Sequence, residues 1–350
     1  MRKEDNQRAI VTCSSDESIS SSIVQRKVIK IVVESTISSV GLLADGQQYV
    51  SGDKNGKVRW WRMEDGVEVG APIDAESAIR CLATSQDGKW SVTGTKSGRV
   101  TVWDAESREK LTWFAKAGGA NSVDISSDGT KIAIAWGDKT VSVYSLPDNE
   151  KQGNARNCSF HTVRFSPDGL LFACGVESGK SSSLGIYNSN SSQNASLQDI
   201  EITTRSVSWT SDSKQLFALS SDGDIYCVDV SNGRTLSKWP IHSNDSPTCI
   251  SLSSNGIFIA ACANSSISFW DTSTHEQIGF VIHHPHSVNS MAISPNHDLV
   301  FVGNSTIVLW DLRNVLSVPY IDDHVGRYLF PRSASSQFNL LVIAKTGYKN

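Results

Sequence analysis

No stretch of this 350-residue chain is long, apolar and uninterrupted. Runs such as Leu340 to Ala344 fall far short of the roughly 20 residues a membrane helix requires, so no membrane span is expected. Lys and Arg never cluster into a stripe, and the net charge is -4, which argues against nucleic acid as a partner. The seven cysteines (Cys13, Cys81, Cys158, Cys174, Cys227, Cys249 and Cys262) are odd in number, widely spaced and free of any C-x-x-C pair. They are expected to be reduced, mostly buried in strands, and therefore intracellular. Met1 to Lys27 is polar and Ser-rich with no apolar h-region, so no export signal is expected and residues 1–26 are taken as a disordered segment. Without export, sequons such as Asn194-Ala195-Ser196 are not expected to carry sugar. A Walker loop, a G-x-G-x-x-G turn, an H-E-x-x-H pair and a G-x-S-x-G elbow are all missing, and no cofactor is expected.

What the chain does have is a period. Apolar, alternating runs end at Trp61, Trp103, Tyr144, Tyr187, Val228, Trp270 and Trp310, in steps of 42, 41, 43, 41, 42 and 40 residues. A second marker keeps the same phase: the turns Asp45-Gly46, Asp87-Gly88, Asp128-Gly129, Asp168-Gly169, Asp212-Ser213, Asn255-Gly256 and Asn296-His297. Between the two markers lie short β-branched runs bounded by turn residues, as in Lys89 to Gly94 and Arg99 to Asp104, which predict strands. A period of this length carrying several strands predicts propeller blades.

With its Trp-Asp dipeptides at Trp103-Asp104, Trp270-Asp271 and Trp310-Asp311, the chain resembles the WD40 repeat (β-transducin-like) family from about Lys27 to Arg313. The style of Val58 to Gly66 and Ile267 to Gln277 is similar to fungal members. The resemblance implies an all-β, seven-bladed propeller over residues 27–313 that works as a non-catalytic scaffold or adaptor for other proteins, as a monomer within a larger complex. Seven inner-to-outer strand sets are present, but an outer strand clearly follows only six of them. Val28 to Val33 is a spare alternating strand, and it is expected to complete blade seven and remove the open edge. Residues 314–350 lose the phase and are taken as an extension in which Gln337 to Ala344 could add a strand.

The family's hydrogen-bonded His, Ser/Thr, Asp and Trp tetrad is degraded. Six residues before each marker stand Asn55, Ser97, Asp138, Ser181, Asp222, Asn264 and Asn304, and no blade keeps both Asp and Trp. Blade seven comes nearest, with His284, Asn304 and Trp310. Trp61, Trp103, Trp270 and Trp310 are expected to fill the wedges between sheets, and Asp104, Asp271 and Asp311 to bond the following turn, all as structural residues. His283, His284 and His286 flank a proline in a loop, so His284 is read as structural and no metal is expected. Ser14 to Ser18 resembles an acidic phosphorylation stretch.

Alternation of strand direction puts the loops that enter strand a and join b to c on one face, and the other turns on the opposite face. The first face varies from blade to blade and is the expected partner surface. Candidate contacts on it are Lys54, Arg80, Lys96, Trp136 and Arg205. If Trp136 is an exposed anchor, Trp136→Ala should spare the fold and weaken partner capture. The rival class is a propeller enzyme or small-ligand binder using the central channel, but on the inner strands the acid is essentially Asp124 alone, too few for an acid and base pair. The cytoplasm is favoured over the nucleus because no basic cluster is evident.

Overall fold

A computed structural model of the protein describes residues 28–321, apart from 45, 147, 157, 179–180, 191–197 and 242–244. The described residues form seven four-stranded antiparallel sheets. Each runs a-b-c-d from the channel outward. The inner strands are Ile37–Leu42, Ile79–Thr84, Ala120–Ile125, Cys158–Phe165, Thr204–Trp209, Pro247–Leu252 and Ser290–Ile293. Strand order follows the sequence in six sheets. In the seventh, the outer place is taken by Ile29–Val32 from the start of the described chain, antiparallel to Thr306–Asp311 with Ile29 opposite Leu309 and Ile31 opposite Ile307. This is the expected closure, and the chain is an all-β, seven-bladed propeller sealed by its N-terminal strand. Expectations for residues 1–26 and for residues 322–350, including Gln337 to Ala344, fall outside the described residues. No helix among the described residues is long and apolar enough to cross a membrane.

The closing strand works because it alternates. Ile29 and Ile31 are buried while Lys30 and Val32 face out. The two isoleucines join a cluster that spans the joint, with Val300, Val302, Ile307 and Leu309 from blade seven and Ile37, Val40, Tyr49 and Trp61 from blade one. One strand thus holds two blades.

The markers that set the period are wedge fillers. Trp61, Trp103 and Trp270 are buried. The Trp61 indole donates to Ser51 Oγ at 2.8 Å, and that of Trp103 to Thr93 Oγ1 at 2.9 Å, each acceptor standing ten residues earlier on strand b. Where that position is Ala260, Trp270 turns to Ser268 instead, at 2.9 Å. Where it is Val300, the Trp310 Nε1 is buried with no partner.

Blade seven therefore does not carry the substituted tetrad that the sequence suggests. His284 is buried, but its Nδ1 lies 2.8 Å from the His286 carbonyl in its own loop and its Nε2 has no partner. Burial also holds the His284 imidazole below its ordinary pKa. Asn304 Oδ1 accepts instead from Thr36, 3.3 Å away at the entry to blade one. His284 lies so close over Gly303 that a β-carbon there would sit 2.8 Å from its ring.

The b–c turns are capped from an unexpected position. Asp53 Oδ1 accepts the amides of Asn55 and Lys57 at 2.8 and 2.9 Å, and Thr95 Oγ1 accepts that of Arg99 at 3.1 Å. Both caps stand eight residues before the marker rather than six. Of the two aspartates at the expected place, Asp138 caps its own turn through Thr140 and pairs with Lys116.

The c–d turns follow one rule. Asp104 Oδ1 accepts the amides of Glu106 and Ser107, Asp271 those of Ser273 and Thr274, and Asp311 that of Arg313. Asp271 also accepts from the Tyr320 hydroxyl at 2.9 Å. Burial pushes the Asp271 carboxyl up, but the hydrogen bonds from Ser273, Thr274 and Tyr320 outweigh it and hold the pKa below its ordinary value. A carboxyl depressed by folding adds stability above its unfolded pKa and loses it as pH falls through the folded one.

Two outcomes follow from this architecture. Ile31→Ala should cost about 2–5 kcal/mol in urea denaturation, with Ile31→Val costing about 0.5–1.5. A loss confined to one edge, with the rest of the ring unfolding as before, would contradict the closure. Asp271→Asn should cost about 1–3 kcal/mol near neutral pH. That gap should close as pH falls below about 4, measured by denaturation across pH.

Candidate interaction face

Inner strands are sheet edges, and an unpaired edge leaves amides that must find acceptors. Here the preceding blade supplies them. Val40 N–H donates to Ser290 Oγ, Val163 N–H to Ser122 Oγ and Ile250 N–H to Ser206 Oγ, at 3.3, 3.1 and 3.2 Å. Two residues along, Leu252 N–H reaches Ser208 Oγ at 3.2 Å and Phe165 N–H reaches Asp124 Oδ2 at 2.7 Å. The inner-strand acid is thus engaged in joining blade three to blade four. Burial raises its pKa, while the Arg164 guanidinium and the amides of Phe165 and Ile125 pull it partly back.

The channel opens through two unlike mouths. On the face of the a–b turns, Leu42, Ile125, Phe165, Trp209, Leu252 and Ile293 surround an opening of about 600 Å³ whose lining holds no charged residue among those described. On the face of the b–c and d–a loops lies a depression of about 420 Å³ lined, among the described residues, by Lys54, Arg80 and Arg205 together with Ser38, Thr248 and Asn289, and by no carboxylate. Three of the five candidate contacts, from blades one, two and five, converge there.

Each cation has a local reason for its place. Lys54 follows strand b of blade one, and its amide is held by the Thr36 carbonyl at 2.9 Å. Arg80 is the second residue of strand a in blade two, exposed between buried Ile79 and Cys81, and its guanidinium donates to Asn121 Oδ1. Arg205 holds the same strand position in blade five and is half-buried. Lys96 is exposed on this face, with its amide bonded to Ala78, but it does not line the depression.

Trp136 is a correction. It is only 2% exposed and belongs to a core cluster with Val100, Phe114 and Ile134. The register explains why. Trp136 ends strand b, opposite Ala120, eight residues before its marker. That is the place of Asp53, Thr95, Ser220 and Cys262, all buried. An exposed indole stands elsewhere, at Trp113 on the outer strand Lys110–Ala115, 50% exposed, with the Arg99 and Lys110 cations 4.9 and 5.7 Å from the ring centroid. Its signal was the alternation of an outermost strand, whose outward residues have no blade to cover them.

A buried Trp136 changes the expected phenotype. Trp136→Ala should cost about 3–5 kcal/mol of stability, measured by urea denaturation. A variant as stable as the parent would restore the surface role.

Comparison with known proteins agrees with this geometry. The family model described as WD domain, G-beta repeat matches residues 71–104, 233–271 and 276–311. Each matched segment ends on a Trp-Asp pair at the end of a strand c. The Periodic tryptophan protein 2 homolog of Caenorhabditis elegans is 24% identical over 161 residues, 45% of this chain and 17% of that protein, so the alignment spans a small part of the relative's length. Matched repeats set in a ring of seven four-stranded blades make this chain a seven-bladed propeller that carries WD40 repeats.

Proposed function

We propose that the protein is a non-catalytic interaction scaffold that receives an acidic segment of a partner protein at the mouth formed by Lys54, Arg80 and Arg205. The observation that carries this is the convergence of three cations from three blades on one depression with no carboxylate among the described residues of its lining. Cations gathered at a concave, partly desolvated surface attract anions more strongly than the same charges spread over a convex one. The chain as a whole is acidic, at -4, so this mouth runs against the average field. An acidic segment is therefore steered to the mouth and away from the rest of the surface.

The engagement of Asp124 in the blade seam supports a scaffold over a channel enzyme, because the inner-strand acid is used to hold a backbone amide. Lys96 extends the same face outward. Residues 27–313 act on this reading as one unit within a larger complex, in the cytoplasm, with no cofactor.

The test uses a fluorescein-labelled Glu- and Asp-rich peptide and the whole chain. Binding should weaken with added salt, because screening acts on the charges that drive it. Lys54→Glu combined with Arg80→Glu should weaken it at least about tenfold, roughly 1.4 kcal/mol. Lys214→Glu, on the opposite face, should leave it unchanged. Equal binding by the parent and the double variant would overturn the proposal.

A further inference from the structure

Six residues before each a–b turn the inner strand carries a small hydroxyl or thiol: Ser39, Cys81, Ser122, Thr162, Ser206, Cys249 and Ser290. Three of these oxygens, on Ser122, Ser206 and Ser290, accept amides across the seams. Two blades place sulfur there, and they differ in what stands opposite. In blade two the cross-strand partner of Cys81 is Gly94, so close that a β-carbon on it would sit 2.5 Å from the Cys81 sulfur. In blade six the partner of Cys249 is Cys262.

We propose that Cys249 and Cys262 form a peroxide-reactive dithiol, a modification site that closes to a cross-strand disulfide beneath the basic mouth. Directly paired residues of antiparallel strands hold their α-carbons about 4.5–5.5 Å apart, inside the range a disulfide spans. Their side chains share one face of the sheet, so no strand has to turn. Access is one-sided: Cys249 is half-buried and Cys262 fully buried. The Cys249 sulfur lies 3.8 Å from the Thr248 hydroxyl that donates to it, and Thr248 itself lines the depression. An oxidant arriving at the mouth meets Cys249 first and finds the second thiol behind it.

The surroundings favour ionisation at the outer sulfur. Hydrogen bonds from the Cys262 thiol, the Thr248 hydroxyl and the Met291 amide hold the Cys249 pKa below its ordinary value against the effect of burial, with the Arg164 guanidinium helping. Cys262 is raised, first by that same hydrogen bond and then by burial. Cys81, which lacks a second thiol and donates to the Ala120 carbonyl at 3.7 Å, is pushed up to about 12 by burial.

The chemistry balances with a hydroperoxide as the oxidant. The Cys249 thiolate attacks one oxygen of hydrogen peroxide; an S–O bond forms, the O–O bond breaks, and the departing hydroxide takes a proton to become water. Cys249 is then a sulfenic acid. The Cys262 sulfur attacks it; the S–S bond forms, the S–O bond breaks, and the released hydroxide takes the proton that Cys262 gives up. Two thiols are oxidised, and one peroxide is reduced to two waters.

The whole chain, treated with hydrogen peroxide, alkylated after denaturation and digested, tests this. No Lys or Arg lies between Trp239 and Arg313, so both cysteines fall in one tryptic peptide, and cleavage after Phe258 separates them. The expected result is joint loss of alkylation at Cys249 and Cys262, at least about tenfold faster than at Cys81, with the two fragments still joined after cleavage at Phe258. Cys262→Ser should stop the reaction at a Cys249 sulfenic acid trapped by dimedone, and Cys249→Ser should leave Cys262 alkylated. Loss at Cys81 as fast as at Cys249, persistence of both alkylations, or oxidation of Cys249 without joined fragments would each overturn the proposal.

Discussion

The ring depends on one constraint: every blade is a short sheet with two edges, and no edge amide can be left without an acceptor. At the outer edge water serves. At the inner edge, where neighbouring strands meet around the channel without joining into one sheet, the acceptors come from side chains of the previous blade, and Ser122, Ser206, Ser290 and Asp124 each hold an amide of the next. Small residues are required at these places because a larger side chain would push the strands apart. This seam lets seven sheets share a channel while each keeps its own twist. It also removes the inner-strand carboxylate from the inventory of free acids.

Most of the fold could be read from the sequence because its two markers sit at fixed points of the hairpins. Asp-Gly and Asn-Gly pairs turn a into b, and the aromatic ends c; their phase can only be kept by a repeated sheet. The closing strand was legible for the same reason, since Ile29 and Ile31 alternate with Lys30 and Val32 while no complete set claims them. The site was less legible. Trp136 directly precedes Gly137-Asp138, which reads as loop, yet it stands eight residues before Tyr144, at the buried end of strand b. His284 and Trp310 make a pair by residue type alone, whereas the Val300 that stands ten residues before Trp310 on strand b offers no hydroxyl to pass a hydrogen bond along.

The convergence of Lys54, Arg80 and Arg205 could not be read from the period. Lys54 and Lys96 occupy the same repeat position, yet only the first lines the depression. A long, flexible side chain chooses its direction from its neighbours, and those neighbours belong to other repeats. The result is a disc with a basic opening on one side and, on the other, an opening whose described lining mixes apolar and hydroxyl side chains without a charge. Two faces built by the same repeat thus offer different chemistry.

The closing strand also imposes an order on events. Ile29 waits for Leu309, almost the whole described chain later. While the ribosome delivers the blades in between, each can form its own hairpins, because those contacts are local, but the ring stays an open arc with one unsealed end. Closing so large a loop costs little more than closing a moderate one, since the entropy grows only as the logarithm of length. Its cost is in time: until the last strand c emerges, an alternating apolar strand lies uncovered at one end of the arc, where it can pair with another chain. Synthesis of this protein therefore contains an interval in which it is most exposed to chaperones and to aggregation, and that interval ends only when strand Thr306–Asp311 leaves the ribosome.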